Sequence, residues 1–184
     1  TETVAKLETA SDLTGEAAAF ALARITTVTG EGVEGAEKLA NVLVTLGNNF
    51  AATESQILHI TQEVARSTST FGLSSAQLAA YGAAFSQLGM QAEISGTAVG
   101  RTFRALALAA AEGGEGMVEI TRITGMTQSA FKDLVESDPQ AAMNVFLSSL
   151  KPVIGDTSAL TKVLKGLGLA SEDVNKVIVP LAKN

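Results

Sequence analysis

Residues 71–106 read FGLSSAQLAAYGAAFSQLGMQAEISGTAVGRTFRAL, and this stretch decides the fold because it marks where two helices begin and end. Ser74 suits a helix N-cap, and Gln77 lies three residues later, the spacing of a capping box. In that arrangement each side chain accepts a hydrogen bond from the other residue's backbone amide. Leu73 and Leu78 have the spacing of a hydrophobic staple across the same start. The sequence therefore predicts a helix that begins directly after Ser74.

Two glycines mark the ends of helices in this stretch. Gly72 and Gly89 suit the left-handed backbone conformation with which many helices end. Between them, large apolar residues recur at intervals of three and four, which predicts one buried face made of Leu78, Tyr81, Phe85 and Leu88. A second helix is predicted to run to about residue 111, with the apolar residues Ile94, Val99, Phe103 and Leu106.

Gly96 and Gly100 lie one turn apart in the second helix. Each glycine costs about 1 kcal/mol of helix stability relative to alanine. We therefore expect another helix to approach closely at these positions, since small residues permit such an approach. Arg101 and Arg104 follow on the same helix, and two cations on one turn are more often a solvated face than a nucleic-acid contact.

The rest of the chain carries similar helix signals and predicts an all-α, compact multi-helix bundle of about ten short helices. Thr53 and Gln56 form a second potential capping box, and Asp138 followed by Pro139 is a typical helix start. Only residues 25–29 resemble a strand. The other predicted helices cover residues 2–13, 15–29, 34–46, 117–124, 128–136, 139–150, 158–167 and 171–183.

The sequence contains a single candidate domain boundary. Residues 112–116 read EGGEG and are predicted to be a flexible linker. They would separate a larger helical part, residues 1–111, from a smaller one, residues 117–184. The chain begins at Thr1 without methionine, so we expect it to be a piece of a longer protein.

Composition excludes several classes of function. The 184 residues include no cysteine, which excludes disulfides and thiolate metal sites. The net charge of −6 argues against direct nucleic-acid binding, which needs clustered cations. Residues 67–92 are uncharged and long enough to cross a bilayer, but their many Ser, Thr and Gln residues and the break at Gly72 oppose that interpretation.

A glycine motif offers the strongest case for a ligand site. Residues 25–29, ITTVT, precede residues 30–35, GEGVEG, and a helix follows, which is the order of a dinucleotide-binding turn. Glu31 and Glu34 would place negative charge against a pyrophosphate, and no further strand–helix units follow to build a parallel sheet. A flexible joint between two helices is therefore the better interpretation.

Individual polar residues give no catalytic constellation, so we predict no enzyme activity and assign no catalytic, cofactor-binding or metal-binding residue. His59 is the only histidine and is expected at the edge of an apolar helix face, while Tyr81 is expected in the core with its hydroxyl hydrogen-bonded. Ser74 is explained as a cap. The spacing of the acidic residues defines neither an acid–base pair nor a calcium loop, although some of them could form carboxylate pairs. These residues are Glu112, Glu115, Asp133, Glu136 and Asp138.

The order of these helix joints resembles the core region of phage tail tape measure proteins, found in long-tailed phages and prophages. In the central stretch the resemblance lies in residues 72–74, 78–84 and 88–89, then in Glu93, Gly96, Thr97, Ala98 and Arg101. Upstream it includes residues 29–30, 34–46 and 48–54, and downstream residues 125–127, Phe131, 138–139, 141–142 and 146–150. It therefore covers nearly the whole chain.

The resemblance implies a structural role. Members of the family lie inside the growing tail tube, set its length during assembly and leave ahead of the DNA during ejection. It implies tail tube proteins and tail assembly chaperones as partners, self-association, a place in the tail lumen of the virion, and the host bacterial cytoplasm during assembly. The alternative is a non-catalytic helical module that binds a partner or contacts the membrane during ejection, suggested by the uncharged residues 67–92.

Overall fold

A computed structural model describes residues 2–183, although not the side chains of Glu2, Thr3, Lys6 and Ala10. Eleven α-helices and no strand occur among these residues, which confirms the predicted all-α class. The helices are α1 Glu2–Ala10, α2 Gly15–Thr29, α3 Gly32–Asn49, α4 Glu54–Ser67, α5 Ser75–Gln87, α6 Ala92–Glu112, α7 Gly114–Thr124, α8 Gln128–Ser137, α9 Pro139–Leu150, α10 Thr157–Gly166 and α11 Glu172–Lys183. A short 3-10 turn, Lys151–Val153, follows α9.

The chain forms two compact units, unit 1 at Thr1–Thr97 and unit 2 at Ala98–Asn184. Their boundary falls inside α6, whereas the sequence suggested a linker at residues 112–116. In the structure α6 ends at Glu112, Gly113 lies between the helices, and α7 already begins at Gly114. Flexibility at residues 112–116 stays a prediction.

Unit 1 is built around α4. This helix packs most extensively against α5 and also contacts α2 and α3, while α1 packs against α2 and α3. The apolar face of α4 lies in the core of this unit, since Ile57, Ile60 and Val64 are all buried. Leu39 and Leu43 of α3 are buried as well, so both helices contribute aliphatic side chains to the core.

Unit 2 has its own core around α9. This helix contacts α7, α8 and α11, and α7 also packs against α10. Phe146 of α9 and Phe131 of α8 are fully buried, as is Ile120 of α7. At the start of α9 the Asp138 side chain accepts a hydrogen bond from the Ala141 amide, with Pro139 at the first turn, which confirms the predicted N-cap.

The structure decides one open point of the sequence interpretation and corrects another. Residues 25–29, which resembled a strand, are the last five residues of α2, in agreement with the helix predicted at 15–29. Phe20 of α2 is 64% exposed. Leu88, expected on the apolar face of α5, follows the end of that helix and is also exposed.

Candidate functional site

Two capping boxes start the central helices of unit 1. Ser74 Oγ accepts a hydrogen bond from the Gln77 amide at 3.2 Å, and Gln77 Oε1 accepts one from the Ser74 amide at 2.8 Å. Thr53 and Gln56 repeat both bonds at the start of α4. These bonds satisfy amides that have no partner within a helix. The Ser74 hydroxyl is therefore engaged as a cap, as the sequence predicted.

Gly72 and Gly89 end the preceding segments in the left-handed conformation that the sequence predicted. Their φ angles are 63° and 65°, values that residues other than glycine rarely adopt. Beyond Gly89, the Met90 amide donates to the Phe85 carbonyl oxygen at 2.9 Å. This bond closes the end of α5 and turns the chain toward α6.

Gly82 brings α5 into direct contact with the backbone of α4. A methyl group added at Gly82 would lie 2.6 Å from the Ile57 carbonyl oxygen and would also collide with Thr61 Oγ1. That hydroxyl is buried and donates to the same Ile57 oxygen at 2.7 Å. The close approach therefore depends on glycine, because a side chain would push the two helices apart.

Gly96 makes the corresponding contact between α6 and α4, as the sequence predicted. A methyl group there would lie 2.7 Å from the Glu63 carbonyl oxygen. Ser67, at the end of α4, donates a hydrogen bond to the Gly96 carbonyl oxygen at 2.6 Å. Gly100, predicted to act with it, is also buried.

The glycine motif at residues 30–35 is a joint between α2 and α3. Gly30 ends α2 with a φ of 72°, and Gly32 is the first residue of α3. The Glu31 side chain lies against Gly35, and its Oε1 accepts a hydrogen bond from the Ser75 amide at 3.1 Å. Glu31 thus places a carboxylate at the N-terminus of α5, where negative charge is favourable. The motif therefore connects two helices, as the sequence predicted.

Asp12 is a second capping carboxylate that sequence reasoning missed. Its Oδ1 accepts from the Ser55 amide at 3.0 Å and its Oδ2 from the Ser55 hydroxyl at 2.6 Å. Partial burial raises the pKa of Asp12, but the hydrogen bonds from Ser55 and Thr53 lower it by more, so the pKa lies below its ordinary value. A residue 43 positions away therefore holds the start of α4, and no local signal could reveal that pairing.

The residues weighed for catalysis stay apart from one another. His59 is exposed, and its Nε2 lies 3.7 Å from Glu93 Oε1, an ion pair only when the imidazole is protonated. Its position on α4 is outside the apolar face. Tyr81 is buried as predicted, and its ring stacks on Phe85 with centroids 6.1 Å apart.

The candidate carboxylates lie on the surface of unit 2. Glu112, Glu115, Asp133 and Glu136 are exposed, and Glu136 lies 3.8 Å from Lys132. Within residues 2–183, no group of three His, Asp or Glu side chains is placed to hold a metal ion. None of the described helices is both long and apolar enough to cross a bilayer.

Glu119 is a buried charge that sequence reasoning did not single out. Its side chain is 6% exposed. Its Oε2 accepts a hydrogen bond from Arg122 Nε at 2.8 Å, and its Oε1 lies 3.2 Å from Lys162 Nζ. Burial raises the pKa of this carboxyl, but the hydrogen bonds and positive charges of Arg122 and Lys162 lower it by more, and its pKa lies below the ordinary value. The cluster ties α7 to α10. The pairing of Glu119 with Arg122 could be predicted because the two residues lie three positions apart, whereas the pairing with Lys162 could not.

The comparison with known protein families covers almost every residue. A family model described as phage-related minor tail protein matches residues 1–183, which includes both units and the capped helices of residues 71–106. Neither the curated proteins nor the solved structures include a match to this chain.

Proposed function

Because the chain belongs to the family of phage-related minor tail proteins, we propose that it is a structural segment of a tail tape measure protein. In this role it contributes to tail assembly, to setting the length of the tail and to genome ejection. Its partners are tail tube proteins and assembly chaperones. It occupies the tail lumen in the virion and the host bacterial cytoplasm during assembly.

One observation carries this proposal: the residues that resemble the tape measure core are the ones that build the helix joints. Ser74 caps α5, Gly72 and Gly89 form turns, and Gly96 admits the backbone of α4. A structural segment would preserve such joints in order and spacing. The exposed position of His59, whose Nε2 lies 3.7 Å from Glu93 Oε1, fits a surface role better than a catalytic one.

The joints raise a physical difficulty for a molecular ruler. An extended helix lengthens by about 1.5 Å per residue, but here no helix exceeds the 21 residues of α6 among those the structure describes. We infer that the segment folds as helical bundles when free. Chaperones or tube subunits then open these bundles, or hold them open, so that the chain can enter a narrow lumen.

The alternative of a membrane-contacting module has weaker support. Three large apolar residues of the uncharged segment, Leu78, Tyr81 and Phe85, are buried in unit 1. Contact with a bilayer would require α5 to leave its packing against α4, with the loss of that buried area.

The length function can be tested by in-frame deletion in a phage that encodes this chain. We expect removal of residues 2–97, the described part of unit 1, to shorten the tail by about 1.5 Å for each residue removed. Tail lengths are measured by electron microscopy of intact particles. A control variant replaces the segment by an unrelated helical sequence of equal length, and it should restore the length. Tails of unchanged length after the deletion would contradict the proposal.

A further inference from the structure

Helix α2 presents an exposed face, with an aromatic residue at its centre, that no described residue covers. Its buried side contains Ala18, Leu22 and Ile25. Six residues within about 60° of Phe20 around the helix axis point the other way, and all of them are exposed: Glu16, Ala17, Phe20, Ala23, Arg24 and Thr27. Below, these six residues are called the α2 face.

Phe20 lies at the centre of the α2 face and is 64% exposed. The Arg24 guanidinium carbon lies 5.5 Å from its ring centroid, so the cation covers one side of the ring. Ala17 and Ala23 flank Phe20 and leave room for a second helix to approach. Burying an aromatic ring against such a helix is favourable, because phenylalanine removes a large apolar area from water.

The charges on the α2 face are arranged symmetrically about Phe20. Glu16 precedes it by four residues and Arg24 follows it by four, so each lies about 6 Å from it along the axis. Neither charge forms an ion pair with another described residue. If a second copy of α2 packs antiparallel with the two-fold axis at Phe20, each Glu16 faces Arg24 of the other copy. Parallel packing would instead bring like charges together.

We propose that the α2 face is a self-association surface, on which two copies of the chain pair antiparallel about a two-fold axis at Phe20. This pairing does not depend on the tape measure function. A stable interface buries about 800 Å² on each partner, and one helix face offers less, so the dimer is weak. Unit 1 holds ten carboxylates against four Lys and Arg residues, and their repulsion weakens pairing further at low salt.

Sedimentation equilibrium of the whole chain over a concentration series tests the surface. We expect a monomer–dimer equilibrium that strengthens from about 20 mM to about 150 mM salt as the net repulsion is screened. Phe20→Ala should weaken the dimer about tenfold or more, as truncation of a central aromatic residue does. Val118→Ala, at an exposed position in unit 2, is the matched control and should leave the equilibrium unchanged. A chain that stays monomeric, or a dimer unaffected by Phe20→Ala, would overturn the proposal.

A charge swap tests the antiparallel geometry. Glu16→Arg or Arg24→Glu alone should weaken the dimer, because each places two like-charged pairs across the interface. The double variant Glu16→Arg/Arg24→Glu should recover it, and an equimolar mixture of the two single variants should form the mixed dimer. Failure of both recoveries, with circular dichroism showing folded variants, would overturn antiparallel pairing at Phe20.

Discussion

Glycine at position 82 decides how closely two helices of unit 1 can pack. Alanine in place of glycine inside a helix normally adds about 1 kcal/mol of stability. At Gly82 the added methyl group would overlap the Ile57 carbonyl oxygen, which belongs to the backbone and cannot move alone. Overpacking of this kind costs about 1–3 kcal/mol. The sign of the change in stability caused by Gly82→Ala therefore shows whether the contact exists.

We predict that Gly82→Ala lowers the free energy of unfolding by about 1–2 kcal/mol, measured by urea denaturation followed by circular dichroism. The control is Gly155→Ala, since a methyl group at Gly155 meets nothing within 4 Å and the backbone there has no positive φ. That variant should lie within about 0.5 kcal/mol of the parent chain. A Gly82→Ala chain as stable as the parent, or more stable, would exclude the close contact.

For single residues, the sequence could predict interactions between residues that lie close together in the chain. The capping boxes at Ser74 and Thr53 were predictable because both partners lie within three residues. Gly96 was predictable as a contact, but not its partner Glu63. The roles of Asp12 and Glu31 were not predictable, because each caps a helix more than forty residues away and only the folded chain brings them together.

Helices α7 and α10 are joined by the buried Glu119 carboxylate. Because the pKa of Glu119 is lowered in the folded chain, its ionised form stabilises unit 2. That contribution is complete above the unfolded pKa of about 4.3 and is lost as the pH falls through the lower folded pKa. Acid should therefore weaken the link between the two helices.

We predict that Glu119→Gln lowers the free energy of unfolding by about 1–3 kcal/mol at pH 7, where the charge-assisted bonds are lost. The difference from the parent chain should shrink as the pH is lowered from about 4.3 toward 3 in urea denaturation. Glu136→Gln is the control, because Glu136 is an exposed partner of Lys132 on α8 and such pairs contribute at most about 1 kcal/mol. A difference that persists unchanged at pH 3 would contradict this account.

The positions of helices were largely predictable, because caps, glycines and apolar spacing are properties of the local chain. The helices at 15–29 and 139–150 match α2 and α9 residue for residue. Helix α1 ends three residues earlier than predicted, since the Ser11 side chain accepts from the Leu13 amide and Thr14 caps α2. Residues 25–29 resembled a strand because β-branched residues favour strands, but they also fit the helix predicted at 15–29 and form the end of α2.

For the whole molecule, the division into two units was not predictable. It falls between Thr97 and Ala98 inside α6, a helix that continues without a break from Ala92 to Glu112. The glycine-rich residues 112–116 attracted the prediction because glycine favours loops. The cores of the units depend on which helices pack together, and that information is spread over the entire chain.

The central claim is that the free chain is folded into helical bundles and is not an extended ruler. Small-angle X-ray scattering of the monomeric chain at low concentration tests it most directly. A single extended helix of 184 residues would be on the order of 270 Å long and about 10–12 Å wide. We predict a maximum dimension far below that length and a scattering profile without the inverse dependence on angle that marks a thin rod. A rod-like profile with the cross-section of one helix would contradict the account.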